Sequence, residues 1–426
     1  MTTAKVLSST LRKYRAAVDA SDTGVGKTFT ALGVARLLEQ TPLVVCPKSV
    51  RSAWREAADA LGIPVLDILN VEKLKTGNTP YLDRAGRTFI WRLPRDTLVI
   101  WDEVQNAGGI KSQNGKILAL TRAYGLPVLG LSATIADNPL KLKALGYLLG
   151  LHQYKNHYDW CLKNGCVKSP FGNGRALEFT RSPVLAVKYM KQLHGAIFPE
   201  RGQRVRIADL DVFPDNAVFA EAYDLDKYTD EINEVYAHML EELQQKGPGD
   251  NALTIMLRAR QKAEVCKLSL LLDLTGNLLE ENKSVVVFVN FKETLDRLIS
   301  DTHSYSPAVI RGEQTGTTRD EEIRRFQADG TRLCLAMIQA GGVGVSLHDT
   351  HGNHPRVSLI TPSFNAVHMK QALGRIHRAG AKTKCLQKII FAAGTVEENA
   401  CAAVRRKLDN LDALNDGDLS GLIVDV

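Results

Sequence analysis

One stretch decides the fold: Ala20-Ser21-Asp22-Thr23-Gly24-Val25-Gly26-Lys27-Thr28. A short apolar run, Ala16 to Val18, precedes it, and a helical pattern over 29–38 follows it. A strand, a glycine loop and a helix in this order are typical of a phosphate-binding loop. Glycines let the backbone N–H groups turn inward, and the helix start adds its positive dipole end. We therefore expect a polyphosphate site here; the alternative is an ordinary glycine turn.

The residue types of the loop indicate a nucleotide. Lys27 is placed to reach the β- and γ-phosphates of ATP, and the Thr28 hydroxyl to hold Mg²⁺. The strict pattern G-x-x-x-x-G-K-[ST] has glycine where this chain has Ser21. The stretch fits a variant, A-x-x-G-x-G-K-T, and in this it resembles the superfamily 2 helicases. We expect the nucleotide to be bound by Thr23, Gly24, Val25, Gly26, Lys27 and Thr28.

Length and composition are those of a globular protein of two or three domains. The chain has 426 residues, of which 44% are hydrophobic, enough for a substantial core. No apolar run of about 18 residues occurs, so we expect no membrane span. Met1 to Thr10 lacks the apolar region of a secretory signal. The net charge of +7 suits a polyanionic partner. The seven cysteines are scattered, and we expect Cys46 and Cys334 to be buried thiols in a reducing compartment.

An acidic pair follows a second apolar run, Thr97 to Trp101. A buried strand ending in Asp102-Glu103 presents two carboxylates at its carboxyl end. Behind a phosphate-binding loop, Asp102 is the expected Mg²⁺ ligand and Glu103 the base that activates water. Gln105 stands where superfamily 2 proteins usually have Asp or His; its amide can still hydrogen-bond at the nucleotide.

A more specific resemblance is in the segment from Leu43 to Trp54, which reads L-V-V-C-P-K-S-V-R-S-A-W. It is similar to motif Ia of the Swi/Snf family of DNA-translocating ATPases, whose loop contacts a DNA phosphate backbone. The resemblance assigns that contact here to Pro47, Lys48 and Ser49. Trp54 is expected to be a core aromatic. Ser132-Ala133-Thr134 resembles motif III of the same superfamily.

The second half of the chain repeats strands and helices at a spacing that predicts a parallel sheet covered on both faces. Its first strand, Ser284 to Phe291, resembles motif IV, and Gln339 to Leu347 resembles the Swi/Snf motif V. The resemblance assigns nucleic-acid contacts in this half to Asn290, Phe291, Arg311, Gly312, Gly341 and Gly342. It assigns Gly344 to the nucleotide.

Residues 371–380 match Q-x-x-G-R-x-x-R, motif VI. Arg375 and Arg378 lie three residues apart, so on a helix they share a face. By resemblance, Gln371 contacts the nucleotide, and both arginines neutralise the leaving γ-phosphate when two lobes close, a contribution of roughly 10³–10⁵ in rate. A basic helix face is the alternative.

The stretch between the motif-rich halves carries less information. Residues 217–245 are expected to be helical, with a break at 246–250. His152, His157, Cys161 and Cys166 have spacings that a zinc site can use, but no C-x-x-C pair supports one. Arg15 stands where superfamily 2 proteins have an adenine-contacting glutamine, and a basic turn of a surface helix is equally consistent with it.

The sequence thus predicts an α/β fold of two RecA-like lobes, each a parallel sheet with helices on both faces, and a helical insertion between them. The expected domains are lobe 1 (1–150), a linking helical region (151–275), lobe 2 (276–408) and an acidic tail (409–426). By resemblance, the chain is an ATP- and Mg²⁺-dependent translocase or helicase acting on duplex, forked or branched DNA, with a possible protein partner for targeting. The alternatives are an RNA helicase or the nucleotide-gated motor subunit of a larger nucleic-acid-processing complex. We expect it in the cytoplasm of a bacterium or virus-infected cell, or in the nucleus if eukaryotic.

Overall fold

The structure is a computed structural model that describes residues 2–77, 79–86, 88–109, 112–169, 176–210, 213–225, 227–246, 252–341, 345–363, 365–395 and 397–398. Gly342, Gly344 and the tail 409–426 lie outside the described residues, as does the break expected after Lys246. The described chain forms two compact units, divided between Asp209 and Leu210.

Unit 1 contains helices and strands in alternation. Its helices are α1 (Thr3–Tyr14), α2 (Lys27–Leu38), α3 (Arg51–Leu61), α4 (Val71–Thr76), α5 (Gln113–Ala123), α6 (Lys143–Leu148), α7 (His157–Lys163) and α8 (Pro183–Ile197). Its strands are β1 (Ala16–Asp19), β2 (Thr41–Val45), β3 (Asp67–Leu69), β4 (Leu82–Ala85), β5 (Thr88–Trp91), β6 (Thr97–Asp102), β7 (Val128–Leu131), β8 (Cys166–Lys168), β9 (Leu177–Phe179) and β10 (Gly202–Gln203).

Six of these strands form one parallel sheet in the order β10-β1-β7-β6-β2-β3. Strand residues alternate between two hydrophobic clusters. Val18 and Val99, for example, belong to one cluster, while Ala17 and Ile100 belong to the other. Both faces of the sheet are therefore covered, which explains why its strands are apolar at nearly every position. Because the strands are parallel, the loops that follow β1, β2, β6 and β7 emerge at the same edge.

Unit 2 repeats this architecture. Its strands are β11 (Asn216–Tyr223), β12 (Ser284–Val289), β13 (Ala308–Ile310), β14 (Leu333–Met337), β15 (Arg356–Ile360) and β16 (Cys385–Ala392). Its helices are α9 (Lys227–Lys246), α10 (Ala252–Val265), α11 (Leu268–Glu280), α12 (Lys292–Asp301), α13 (Gly316–Gln327), α14 (Ile338–Gly341) and α15 (Ala366–Leu373). All six strands pair in parallel in the order β11-β16-β15-β12-β14-β13.

The helix expected over 217–245 was wrong in its first part. Asn216–Tyr223 is a strand that pairs along its full length with β16, and the helix begins only at Lys227. Pairing with a strand about 170 residues away overrode the local helical pattern, because strand preference depends on the packing against neighbouring strands. The range 151–275 divides between the units: Gly202–Gln203 pairs with β1 in unit 1, whereas β11 and the helices α9 and α10 belong to unit 2.

No helix of the described chain is both long enough and apolar enough to span a membrane. Cys46 and Cys334 are buried free thiols, and burial raises the pKa of each.

Candidate nucleotide site and nucleic-acid surface

The glycine loop after β1 has the backbone of a phosphate-binding turn. Gly24 and Gly26 have φ of 84° and 90°, a region that side-chain-bearing residues rarely adopt. Helix α2 begins at Lys27, so the N–H groups of its first turn point toward the loop. The half-buried Lys27 donates from Nζ to the carbonyls of Ser21 (2.7 Å) and Asp22 (2.8 Å). The ammonium group therefore lies within the curve of the loop.

A buried carboxylate at the end of β1 faces this ammonium. Asp19 is 1% exposed and accepts a hydrogen bond from the Ser21 amide (3.0 Å). Burial raises the pKa of Asp19, and Lys27 opposes the shift. Burial likewise lowers the pKa of Lys27, opposed first by Asp19 and then by Glu103 and Asp102. The cation and these three carboxylates therefore interact at the carboxyl edge of the sheet.

Asp102 is fixed by two hydrogen bonds. Trp54, from α3, donates Nε1–H to Oδ2 at 2.9 Å, and the Glu103 amide donates to Oδ1 at 2.9 Å. Burial, reinforced by the charge of Glu103, raises the pKa of Asp102 to about 6, while Trp54 and Lys27 lower it. The two donors hold the carboxylate in a single orientation.

Glu103 stands at a strained backbone position. Its φ is 52°, in the left-handed region that favours glycine, and such outliers cluster at functional sites. Gln105 donates an amide hydrogen to the Glu103 carboxylate, so the glutamine at the fourth position of this motif orients the expected base. The strain and the hydrogen bond together present Glu103 at the end of β6.

The donors expected for Mg²⁺ suit that ion. A carboxylate from Asp102 and a hydroxyl from Thr28 are hard oxygen ligands, and Mg²⁺ is usually held by one or two such groups together with nucleotide phosphates and water. When bound, the ion would supply charge neutralisation at the phosphates. Of the part of the chain that the structure describes, no group of three or more His, Cys, Asp or Glu side chains could hold a metal by itself.

Three members of the His and Cys set considered for zinc, His152, His157 and Cys161, pack against one another. His152 contacts the carbonyls of Gln153 (3.0 Å) and Leu142 (3.2 Å), and its ring packs on His157 with centroids 5.0 Å apart. The Cys161 thiol is buried beside the His157 ring.

Lys48 and Arg15 of unit 1 lie at opposite edges of the sheet. Lys48, in the loop after β2, is exposed at the same edge of the sheet as the glycine loop. Pro47 and Ser49 flank it, and a short 3₁₀ turn starts there ahead of α3. Arg15 instead donates to the Gly125 carbonyl, ahead of β7 and at the opposite edge of the sheet. It is therefore not at the glycine loop.

In unit 2, Asn290 and Phe291 follow β12 and are held by a buried carboxylate. Glu264, 3% exposed, accepts from the amides of Asn290 (2.9 Å) and Phe291 (3.0 Å) and from Asn290 Nδ2 (2.8 Å). Thr361 donates its hydroxyl to Glu264 at 2.7 Å. The Asn290 amide group is thus turned into the protein rather than presented as a free contact.

Arg311 and Gly312, after β13, line an open cavity of about 380 Å³ with Lys292, Met337 and Gln339. The side chains come from the carboxyl ends of β12, β13 and β14, so the cavity lies along one edge of the sheet. Gly341 ends the short helix α14 after β14. Two lining side chains, Lys292 and Arg311, carry positive charge, and each is paired with a carboxylate: Lys292 with Glu313 (3.1 Å), which also lines the cavity, and Arg311 with Asp296 (3.6 Å).

The expectation that Arg375 and Arg378 share a helix face was wrong. Helix α15 ends at Leu373, and the Gln371 carbonyl, which a continuing helix would pair with the Arg375 amide, accepts instead from Arg375 Nε at 2.7 Å. Arg375 is 2% exposed and also donates to the Val345 carbonyl (3.2 Å). Arg378 is half-buried and donates to the Ser346 hydroxyl at 2.7 Å. Arg375 thus anchors the end of motif V, and Arg378 is the more accessible arginine.

Sequence reasoning missed Asp19, Glu264 and the donor role of Trp54. Trp54 was expected in the core, and it is buried there, but its indole also binds a carboxylate 48 residues away. Nothing in the local pattern signals such a contact. An acidic residue at the end of an apolar strand was the one available signal for Asp19.

Comparisons with known proteins show which proteins the chain resembles. Residues 266–380 match the helicase conserved C-terminal domain. A putative ATP-dependent RNA helicase of Acanthamoeba polyphaga mimivirus is 34% identical over 97% of this chain and 82% of its own length. A Caenorhabditis elegans homolog of SWI/SNF-related matrix-associated actin-dependent regulator of chromatin subfamily A-like protein 1 is 23% identical over 92% of this chain and 58% of its own.

The fold has solved counterparts. The structure of S. cerevisiae Dbp5 bound to RNA and ADP BeF3 covers 92% of this chain with a TM-score of 0.51 at 12% identity; the match covers 83% of that chain. At this identity the likeness concerns the fold alone. The predicted class, two parallel sheets covered by helices in RecA-like lobes, is confirmed.

Proposed function

Because the chain belongs to the superfamily 2 helicases and is Swi/Snf-like, we propose that it is an ATP- and Mg²⁺-dependent motor that moves along duplex DNA. As a member of that family it is a nucleic-acid-dependent ATPase. The observation that carries the proposal is the cluster at the carboxyl edge of unit 1, where the Lys27 ammonium lies within the glycine loop beside Asp19, Asp102 and Glu103.

We assign each residue of the cluster a role that its contacts support. Lys27 binds nucleotide phosphates by exchanging the two loop carbonyls for phosphate oxygens, which are stronger partners for an ammonium group. Asp102, oriented by Trp54, would hold Mg²⁺ together with Thr28. Glu103, oriented by Gln105, accepts the proton of the attacking water. Arg378 is our candidate for the γ-phosphate, because Arg375 is buried against two backbone carbonyls.

Double-stranded DNA is the substrate that we favour. Two sequence features support it: the stretch from Val44 to Trp54 and the glycine-rich stretch after Gln339, which resemble Swi/Snf motifs Ia and V. The exposed Lys48 in unit 1 supplies phosphate-binding charge, and Lys292 and Arg311 at the cavity of unit 2 can do so by exchanging their exposed carboxylate partners, Glu313 and Asp296, for phosphates. These contacts read backbone charge and not bases, so we propose movement without sequence preference.

RNA is the second candidate substrate. The mimivirus relative that this chain matches over most of its length is named an ATP-dependent RNA helicase. The experiment is therefore an ATPase assay at fixed salt with single-stranded DNA, duplex DNA, forked DNA, double-stranded RNA or no nucleic acid. Salt is fixed because phosphate contacts make affinity steeply salt-dependent.

We expect the strongest stimulation by duplex or forked DNA, and no turnover by Lys27→Ala or Glu103→Ala under any condition. Stimulation by RNA alone would replace the DNA assignment with the RNA one. Full turnover by either variant would show that the catalytic residues are assigned wrongly, whatever the nucleic acid.

A further inference from the structure

The glycine loop is supported on one side by a segment from the end of unit 1, residues 202–207. Strand β10 pairs with β1, and the ladder continues past it: the Ala20 amide donates to the Gln203 carbonyl (2.8 Å) and the Asp22 amide to the Val205 carbonyl (3.0 Å). The approach is close. A Cβ on Gly202 would lie 2.7 Å from Val18 Cγ1 and 3.0 Å from its carbonyl oxygen. The first residues of the loop are therefore fixed as an extension of the sheet.

Side chains of the loop strengthen this pairing. Ser21, the residue that departs from the strict glycine pattern, accepts from the Val205 amide at 3.0 Å. Asp22 accepts from the Ile207 amide at 2.9 Å and pairs with Arg204 Nη2 at 3.0 Å. Arg204 also donates to the Ala20 carbonyl. Its side chain is 9% exposed and that of Asp22 is 21% exposed, so water screens the pair only partly.

The same residues determine where Lys27 lies. The two carbonyls that receive its ammonium group belong to Ser21 and Asp22, which the segment holds. The Asp22 carboxylate is also a negative charge beside a loop that is to receive phosphates, and the Arg204 guanidinium offsets it. Loss of Arg204 would therefore release the loop and leave an uncompensated anion next to it.

We propose that Arg204 is a positioning residue of the nucleotide site, which fixes the start of the glycine loop and neutralises Asp22 so that a polyphosphate can bind. The inference rests on the proposed function, because it presumes that the loop binds a nucleotide. Arg204 lies outside the motifs of the sequence and directly follows β10, the strand at the edge of the sheet.

The test is the affinity of the full chain for Mg-ADP, measured by isothermal titration calorimetry without nucleic acid. Arg204→Ala is expected to weaken binding roughly tenfold. Arg204→Lys keeps the charge but not the two-pronged geometry of the guanidinium group. Its affinity for Mg-ADP should lie between that of Arg204→Ala and that of the unmodified protein. Arg206→Ala is the matched control. Arg206 lies two residues after Arg204 and pairs with the exposed Asp209, three residues further on, so the affinity of this variant for Mg-ADP should not change.

A double variant tests whether Arg204 acts by neutralising the Asp22 carboxylate. In Asp22→Asn with Arg204→Ala, the asparagine oxygen can still accept from Ile207 and no anion remains, so affinity should recover to within about threefold of the unmodified protein. A merely structural arginine would give no such recovery. Circular dichroism of each variant checks folding; if Arg204→Ala is unfolded, the lysine variant and the double variant decide.

The outcomes separate the two proposals. If the unmodified chain does not bind Mg-ADP, the proposed function fails and this inference with it. If the unmodified chain binds Mg-ADP, and Arg204→Ala and Arg204→Lys bind it as tightly as the unmodified chain does, only the inference about Arg204 is overturned. A double variant as weak as Arg204→Ala would overturn the role assigned to the Asp22 charge.

Discussion

Replacement of Glu264 by glutamine is the sharpest test of how unit 2 holds the turn after β12. Both Glu264 oxygens act only as acceptors. Oε1 receives the amides of Asn290 (3.1 Å) and Phe291 (3.0 Å). Oε2 receives the Asn290 amide as well (2.9 Å), together with Asn290 Nδ2 (2.8 Å) and the Thr361 hydroxyl (2.7 Å). A glutamine has the same shape but only one acceptor oxygen. The NH₂ group of the glutamine must therefore replace one of the two acceptor oxygens, where it faces N–H or O–H groups that also donate.

The least costly arrangement keeps the glutamine oxygen toward the two backbone amides. The NH₂ group then donates to the Thr361 oxygen, since a hydroxyl can reverse its role, but it also faces the backbone N–H and the side-chain NH₂ group of Asn290. The remaining bonds lose their charge assistance. Because hydrogen bonds to charged groups contribute about 1.5–3 kcal/mol each, we expect Glu264→Gln to destabilise unit 2 by about 2–4 kcal/mol.

Urea unfolding can assign that loss to one unit. The chain has four tryptophans, Trp54, Trp91, Trp101 and Trp160, and all precede residue 210, so their fluorescence reports unit 1 only. Far-ultraviolet circular dichroism reports both units. With a slope of roughly 2 kcal/mol per molar urea, the transition of unit 2 should move down by about 1–2 M.

The matched control is Glu313→Gln. Glu313 pairs with Lys292 at the surface of the same unit, with side chains 68% and 58% exposed, and such pairs contribute little. Its unfolding curve should coincide with that of the unmodified protein. Equal midpoints for the Glu264 and Glu313 variants would refute the reasoning, because they would mean that the buried acceptors contribute nothing net.

Three further predictions concern single contacts. Lys267→Met leaves the Glu397 carboxylate buried without its cation, with which it shares bonds of 2.7 and 2.8 Å, and should cost about 3–5 kcal/mol in urea unfolding. Trp54→Phe removes the donor that orients Asp102, so half-maximal ATPase activity should require roughly tenfold more Mg²⁺. Gly33→Ala, in the interior of α2 where a Cβ would meet only one other Cβ at 3.7 Å, should stabilise unit 1 by about 0.5–1 kcal/mol, seen as a higher melting temperature in tryptophan fluorescence.

The sequence predicted what local patterns can encode. The strand before the glycine loop, the strand before Asp102 and the parallel sheets follow from apolar runs that end in polar residues. The positions of Gly24 and Gly26 follow from the turn they must make. These features need only neighbouring residues, so a single chain is enough to read them.

What the sequence did not predict depends on residues far apart in the chain. Asn216–Tyr223 became a strand because β16 lies beside it. Arg375 lies past the end of its helix, where its side chain donates to the carbonyls of Gln371 and Val345. The partners of Ser21 and Asp22 lie more than 180 residues away. Spacing along the chain carries no signal for such contacts.

That separation also determines the order of events during synthesis. Ser21 and Val205 are 184 residues apart, so at roughly 5–20 residues per second the segment that completes the sheet edge is made about 10–40 s after the glycine loop. Until then, the side of β1 that β10 will occupy has unpaired backbone groups, a known template for association with other chains. Unit 1 can therefore finish folding only when nearly all of it has left the ribosome. In a nascent or truncated chain that ends before residue 202, β1, the strand that leads into the glycine loop, is an unpaired edge of the sheet.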